Sequence, residues 1–120
     1  QVAVENPSRM LSRRIKETIG IRYSDADKME MITSQTKEML KNHPEINTEN
    51  TLMVNFNSFA PSSLDFFIYT FTKTKDWEKY HTVKQDILLN ILKIIEQNGA
   101  EAAFPTSTIH LANQNVLKNP

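Results

Sequence analysis

Two hydrophobic rhythms take turns along this chain, and their order restricts the fold more than any single residue does. Side chains alternate across a strand with period 2 and recur along one helix face with period 3.6. From Arg14 the period is 2: Ile15, Ile19, Ile21 and Tyr23 share one face, with Arg14, Lys16, Thr18 and Arg22 opposite. This predicts a strand over residues 13–23; Glu17 interrupts its apolar face, so burial is expected to begin at Ile19. Ser24-Asp25-Ala26-Asp27 then offers an N-cap with acids in the first turn, which suits the helix dipole. Met29, Ile32, Thr36, Met39 and Leu40 follow at helical spacing, predicting a helix over 25–42. His43-Pro44 ends it, because the residue before proline resists the α region.

The period then returns to 2. Leu52, Val54 and Phe56 alternate with Met53, Asn55 and Asn57, and Leu64, Phe66 and Ile68 alternate with Asp65, Phe67 and Tyr69. Ala60-Pro61-Ser62-Ser63 is short enough to close these two strands into a hairpin with a bulge. Thr74 or Asp76 caps a second helix, whose stripe is Tyr80, Val83, Ile87, Ile91, Ile94 and Ile95, flanked by Leu88 and Leu92. Gly99 ends it as a left-handed C-terminal cap. After Phe104-Pro105, residues 106–111 read as a last strand, and 112–120 as a polar tail. The order β-α-β-β-α-β predicts an α+β fold of the ferredoxin-like, split β-α-β kind. Its antiparallel sheet carries both helices on one face.

Composition narrows the function classes. A length of 120 residues suits one domain. The absence of cysteine excludes disulfides and thiolate metal sites. Fourteen basic residues balance fourteen acidic ones, which argues against a nucleic-acid partner. The small cluster Arg9, Arg13, Arg14 and Lys16 reads as a solvated strand start, with a polyanion site as the alternative. No run approaches the roughly 20 apolar residues needed to span a bilayer; the richest, 87–95, is broken by Asn90 and Lys93. Residues 1–7 lack the basic start and apolar run of a signal peptide, so a water-soluble chain is expected. Its first residue, Gln1 rather than Met, hints at a piece of a longer protein.

Catalytic chemistry finds little to build on. His43, His81 and His110 have no partner at a metal-ligand spacing, and Asp25 and Asp27 lack the other ligands of a calcium loop, so capping explains them better. Ser62-Ser63 has no nucleophile elbow around it. With Gly20 and Gly99 as the only glycines, neither a P-loop nor a dinucleotide loop can form. Acylphosphatases share this topology but need a glycine-rich anion loop after the first strand, where Arg22-Tyr23-Ser24-Asp25 stands here. No enzyme activity, metal or cofactor is therefore expected. The remaining feature is LDFFIYTF, which places Phe67, Tyr69 and Phe71 on the sheet face away from the core. A stand-alone regulatory or RNA-binding module is the alternative reading, because RNA-recognition motifs stack bases on such a row. Asp65, the missing basic-glycine start and the zero net charge favour coverage by a neighbouring subunit instead.

The order of short motifs resembles one family. Asn6-Pro7-Ser8-Arg9, Arg13-Arg14-Ile15 and Ile19-Gly20-Ile21-Arg22-Tyr23 are similar to the junction of small-conductance mechanosensitive (MscS-like) channels, where a middle β domain passes into a C-terminal α/β domain. Met39-Leu40 with His43-Pro44 resembles that family's helix ending. Phe59, the Ser62-Ser63-Leu64 hairpin, the helix start at Trp77 and Tyr80, Gly99 and Phe104-Pro105-Thr106 resemble further family positions, in order; coverage runs over residues 6–111.

The resemblance implies a cytoplasmic cage domain of a channel that releases ions and small solutes when membrane tension rises on hypoosmotic shock. Seven copies would form the ring, on the cytoplasmic side of the bacterial inner membrane, with membrane contact only through segments N-terminal to this chain. It implies a division into residues 1–12 (end of the middle domain), 13–111 (the α/β domain) and 112–120 (tail). The residues after Pro105, through Val116, would supply a small barrel at the cage base. Candidate subunit contacts are Phe67, Tyr69, Phe71, Thr106, Thr108 and His110; Arg9, Arg13 and Arg14 mark the candidate portal region.

Overall fold

The stretch with the cleanest two-residue alternation becomes a central strand. A computed structural model describes residues 12–103, and in it LDFFIYTF forms β3 (Leu64–Phe71), alternating buried and half-buried without a break. The other elements are β1 (Arg14–Ile21), a 3-10 turn (Tyr23–Lys28), α1 (Met29–Lys41), β2 (Met53–Phe59), α2 (Trp77–Gln97) and β4 (Ala102–Ala103). Strand order is β2-β3-β1-β4, with every neighbouring pair antiparallel. This is the split β-α-β order expected from the periodicities.

Both helices cover one face. Ile15 and Ile21 of β1, with Leu64, Phe66 and Ile68 of β3, share a single core with Ile32 and Leu40 of α1 and Val83, Ile87 and Ile91 of α2. The six-residue stripe read from the sequence is the set of buried α2 residues. Asp76 caps α2, its carboxylate accepting from the Lys79 N–H at 2.9 Å. At the other end Gly99 has φ 76°. The Gly99 N–H bonds the Glu96 carbonyl at 2.9 Å and the Ala100 N–H bonds the Ile95 carbonyl at 3.0 Å. Those two bonds satisfy carbonyls that the helix end would otherwise leave open.

Four local expectations are corrected. Burial on β1 begins at Ile15, which is fully buried, and not at Ile19. Glu17 does not stop it, because its carboxylate reaches Lys84 of α2 at 2.6 Å. Tyr23 leaves the strand, stays exposed and donates its hydroxyl to the Ala60 carbonyl. The α-helix starts at Met29 rather than Asp25, after the 3-10 turn, because Asp25 turns inward to an ion pair instead of capping. Phe56 of β2 is 42% exposed, since β2 lies at the edge of the described sheet and its register with β3 shifts at a bulge between Phe56 and Ser58. Among the described residues the fourth strand of the sheet is Ala102–Ala103, paired with Gly20 and Ile21 ahead of Pro105. The predicted strand at 106–111 lies outside the described residues.

Candidate assembly surface

Both helices cover one sheet face, and no described helix covers the other. Along it β3 presents Asp65, Phe67, Tyr69 and Phe71, all half-buried. The strand register sets their neighbours. Phe67 stands between Thr18 of β1 and Asn55 of β2, Tyr69 between Lys16 and Met53, and Phe71 beside Arg14. Tyr69 and Phe71 meet edge to face at 5.7 Å, and the Arg14 guanidinium lies 5.9 Å from the Tyr69 ring centre. No described helix covers this row. Three large rings at one level on a sheet make an apolar strip of the kind that packs against another surface.

Arg13 and Arg14 sit at the end of this strip, where β1 starts and α2 begins. The Arg13 Nε donates to the Lys75 carbonyl at 2.7 Å, and its guanidinium lies 4.8 Å from the Trp77 ring centre. Trp77 stacks on Tyr80 at 5.5 Å and 9°, with His81 edge-on at 4.3 Å. Tyr80 donates its hydroxyl to the Arg14 carbonyl at 2.8 Å, fastening α2 to β1. In the sequence Trp77 stands out only through its family motif with Tyr80. The i, i+3 spacing of Trp77 and Tyr80 on one helix could have signalled the cluster. Arg9, Thr106, Thr108 and His110 lie outside the described residues.

The opposite end of the sheet is locked by charge. The Asp25 carboxylate accepts from Arg22 Nε at 2.9 Å, from Arg22 Nη2 at 3.1 Å and from the Glu101 backbone N–H at 2.9 Å. The Arg22 hydrogen bond, then the Glu101 N–H, hold Asp25 below the usual carboxylate range, and the same bond raises Arg22. Glu17 likewise raises Lys84 by hydrogen bonding its charged form. His43 is committed as well. Its Nε2 is 2.7 Å from Asp86, while its Nδ1 accepts from the Glu45 N–H at 3.0 Å, so the proton of the neutral ring resides on Nε2. These pairs bind elements together. Among the described residues no three His, Cys, Asp or Glu side chains are grouped to hold a metal, and no helix is long and apolar enough to cross a membrane.

Fold and surface together define a ferredoxin-like α+β module with a half-buried aromatic row on the sheet face that no described helix covers. Residues 15–102 match the family described as mechanosensitive ion channel MscS, C-terminal. Over 112 residues the chain is 48% identical to the low conductance mechanosensitive channel YnaI of Escherichia coli (strain K12), covering 93% of this chain and 33% of that protein. It is 31% identical over 114 residues to the small-conductance mechanosensitive channel MscMJ of Methanocaldococcus jannaschii, covering 94% of this chain and 32% of that one. Similar folds occur in the cryo-EM structure of Arabidopsis thaliana MSL1 (TM-score 0.73, 22% identity, 82% of this chain and 36% of that one). They occur also in the closed-state crystal structure of Helicobacter pylori MscS (TM-score 0.67, 22% identity, 80% and 36%). The chain belongs to the MscS family of mechanosensitive ion channels, a family of channels and not of enzymes. It spans about a third of the length of the curated relatives it matches.

Proposed function

We propose that this chain is the assembly and vestibule-wall portion of a mechanosensitive channel subunit, held on the cytoplasmic side of a bacterial inner membrane. The parent channel passes ions and small solutes when tension rises on hypoosmotic shock, as a homo-oligomer of seven copies. Within the chain, residues 1–12 close the preceding β domain, 13–111 form the wall module and 112–120 its tail. The observation that carries this reading is the half-buried row of Phe67, Tyr69 and Phe71 on the sheet face that no described helix covers. In a ring every subunit offers one surface to a different surface of the next, so a single apolar row is buried in each copy. Phe67, Tyr69, Phe71, Thr106, Thr108 and His110 belong to that contact, and Arg9, Arg13 and Arg14 face the side portals.

The test replaces Phe67 and Tyr69 by Ser in the full-length channel and measures its oligomer mass in detergent by light scattering. Loss of the ring, or a shift to smaller species at the same concentration, is expected. A ring of unchanged mass and stability would sink the assignment of this face to the subunit contact.

A further inference from the structure

The chain is neutral as a whole, but its cations are not evenly partnered. Among the described residues, Arg22 and Lys28 pair with Asp25, Lys41 with Glu38, Lys79 with Glu45 and Lys84 with Glu17. Arg13, Arg14, Lys73 and Lys75 have no carboxylate partner there, and all four are exposed at the one end of the sheet where β1 starts and α2 begins. Lys16 extends the group along β1, while Lys37 and Lys93 stand alone on helices. The four border two adjoining hollows of about 580 and 460 Å³, and Arg13 and Trp77 line both.

We propose that this basic trough binds a small polyvalent oxyanion of the phosphate type. Arg13 is already oriented for it. Its Nε is tied to the Lys75 carbonyl and its plane is held over Trp77, so its two terminal NH₂ groups remain as donors for a bidentate oxygen pair. Lys73 and Lys75 add ammonium charge on the same wall. The one carboxylate in the lining, Asp76, is already engaged with the Lys79 N–H. A monovalent carboxylate gains little at so exposed a place, where salt screens charges beyond about 8 Å. Two or more charges on one compact group can meet several of these cations at once. A base-stacking ligand fits less well, because Trp77 is engaged by Tyr80 and Arg13 and Tyr69 by Phe71. The inference rests on charge pairing and cavity lining and does not use the assembly reading.

Trp77 is the sole tryptophan and is 55% exposed in the wall of both hollows, so its emission reports on occupancy. The whole 120-residue chain is titrated with sodium pyrophosphate at constant ionic strength, and separately with vesicles containing one-third phosphatidylglycerol. Lys73→Gln with Lys75→Gln is the main variant, since neither side chain makes a contact the fold needs; Arg13→Gln is the second. A saturable emission change with pyrophosphate, weakened about tenfold or more in the double variant, supports a free phosphate ligand. Vesicle binding without a pyrophosphate response, lost in the same variant, supports the same chemistry with a lipid headgroup as its source. A response that sodium chloride reproduces, no response to either probe, or equal affinity in the double variant overturns the site.

Discussion

At Gly20 β1 meets both the β2–β3 hairpin and β4, and replacing it with alanine measures how tightly that corner is packed. It pairs with Asp65 of β3 and Ala103 of β4. A Cβ added there would lie 2.8 Å from Asp65 Oδ1 and 3.0 Å from both Cβ and Oγ of Ser63. Those neighbours are themselves fixed, because the Ser63 hydroxyl donates to Asp65 Oδ1 at 2.6 Å and Ser63 is buried. The backbone of Gly20 is not in the left-handed region, so alanine also restricts the unfolded chain and returns about 0.4–1 kcal/mol. Overpacking of this kind costs about 1–3 kcal/mol, so the net expectation for Gly20→Ala is a loss of about 1–2 kcal/mol. For a chain of 120 residues each kcal/mol lowers Tm by roughly 4 °C. Thermal and urea unfolding followed by circular dichroism read it directly. A double-mutant cycle with Asp65→Ala isolates the cause: removing Oδ1 should recover about 1 kcal/mol of the penalty. A neutral or stabilising Gly20→Ala, or a penalty unchanged by Asp65→Ala, would refute the close-packing argument.

Two further outcomes follow from the charged lock and from the helix end. Asp25 has a folded-state pKa below its ordinary 3.8, so its contribution is fully present above about pH 4 and is lost as pH falls through the depressed value. Asp25→Asn should therefore lower the urea midpoint at pH 7, with the gap to the parent protein narrowing as pH falls below about 4; a constant gap would show that ionisation is not what stabilises. Gly99→Ala tests backbone conformation alone, since its Cβ would meet only Lys28 Cε at an ordinary 3.6 Å while φ stays at +76°. About 1–2 kcal/mol of destabilisation is expected in the same melts, and an unchanged Tm would mean the helix end relaxes into another cap.

Most of the architecture was legible from residue spacing because burial and periodicity share one cause. A side chain that recurs at 2 or 3.6 residues meets the same neighbouring layer each time. LDFFIYTF and the stripe from Tyr80 to Ile95 therefore announced β3 and α2, and with them the half-buried aromatic row on the strand's other side. Asp76 and Gly99 were legible for a local reason, since a cap needs only its own turn. What the residues could not disclose were partners far apart in sequence. Asp25 looked like a cap because Glu101 and the inward turn were not visible beside it. Glu17 looked like the end of the buried face because Lys84 lies on another element, 2.6 Å away only after folding. Phe56 read as core because nothing local says that its strand is the sheet edge. The gathering of Arg13 and Arg14 with Lys73, Lys75 and Trp77 has the same origin. Spacing along the chain decided which layer each side chain joins, and tertiary pairing decided which charges met a partner and which were left to face solvent.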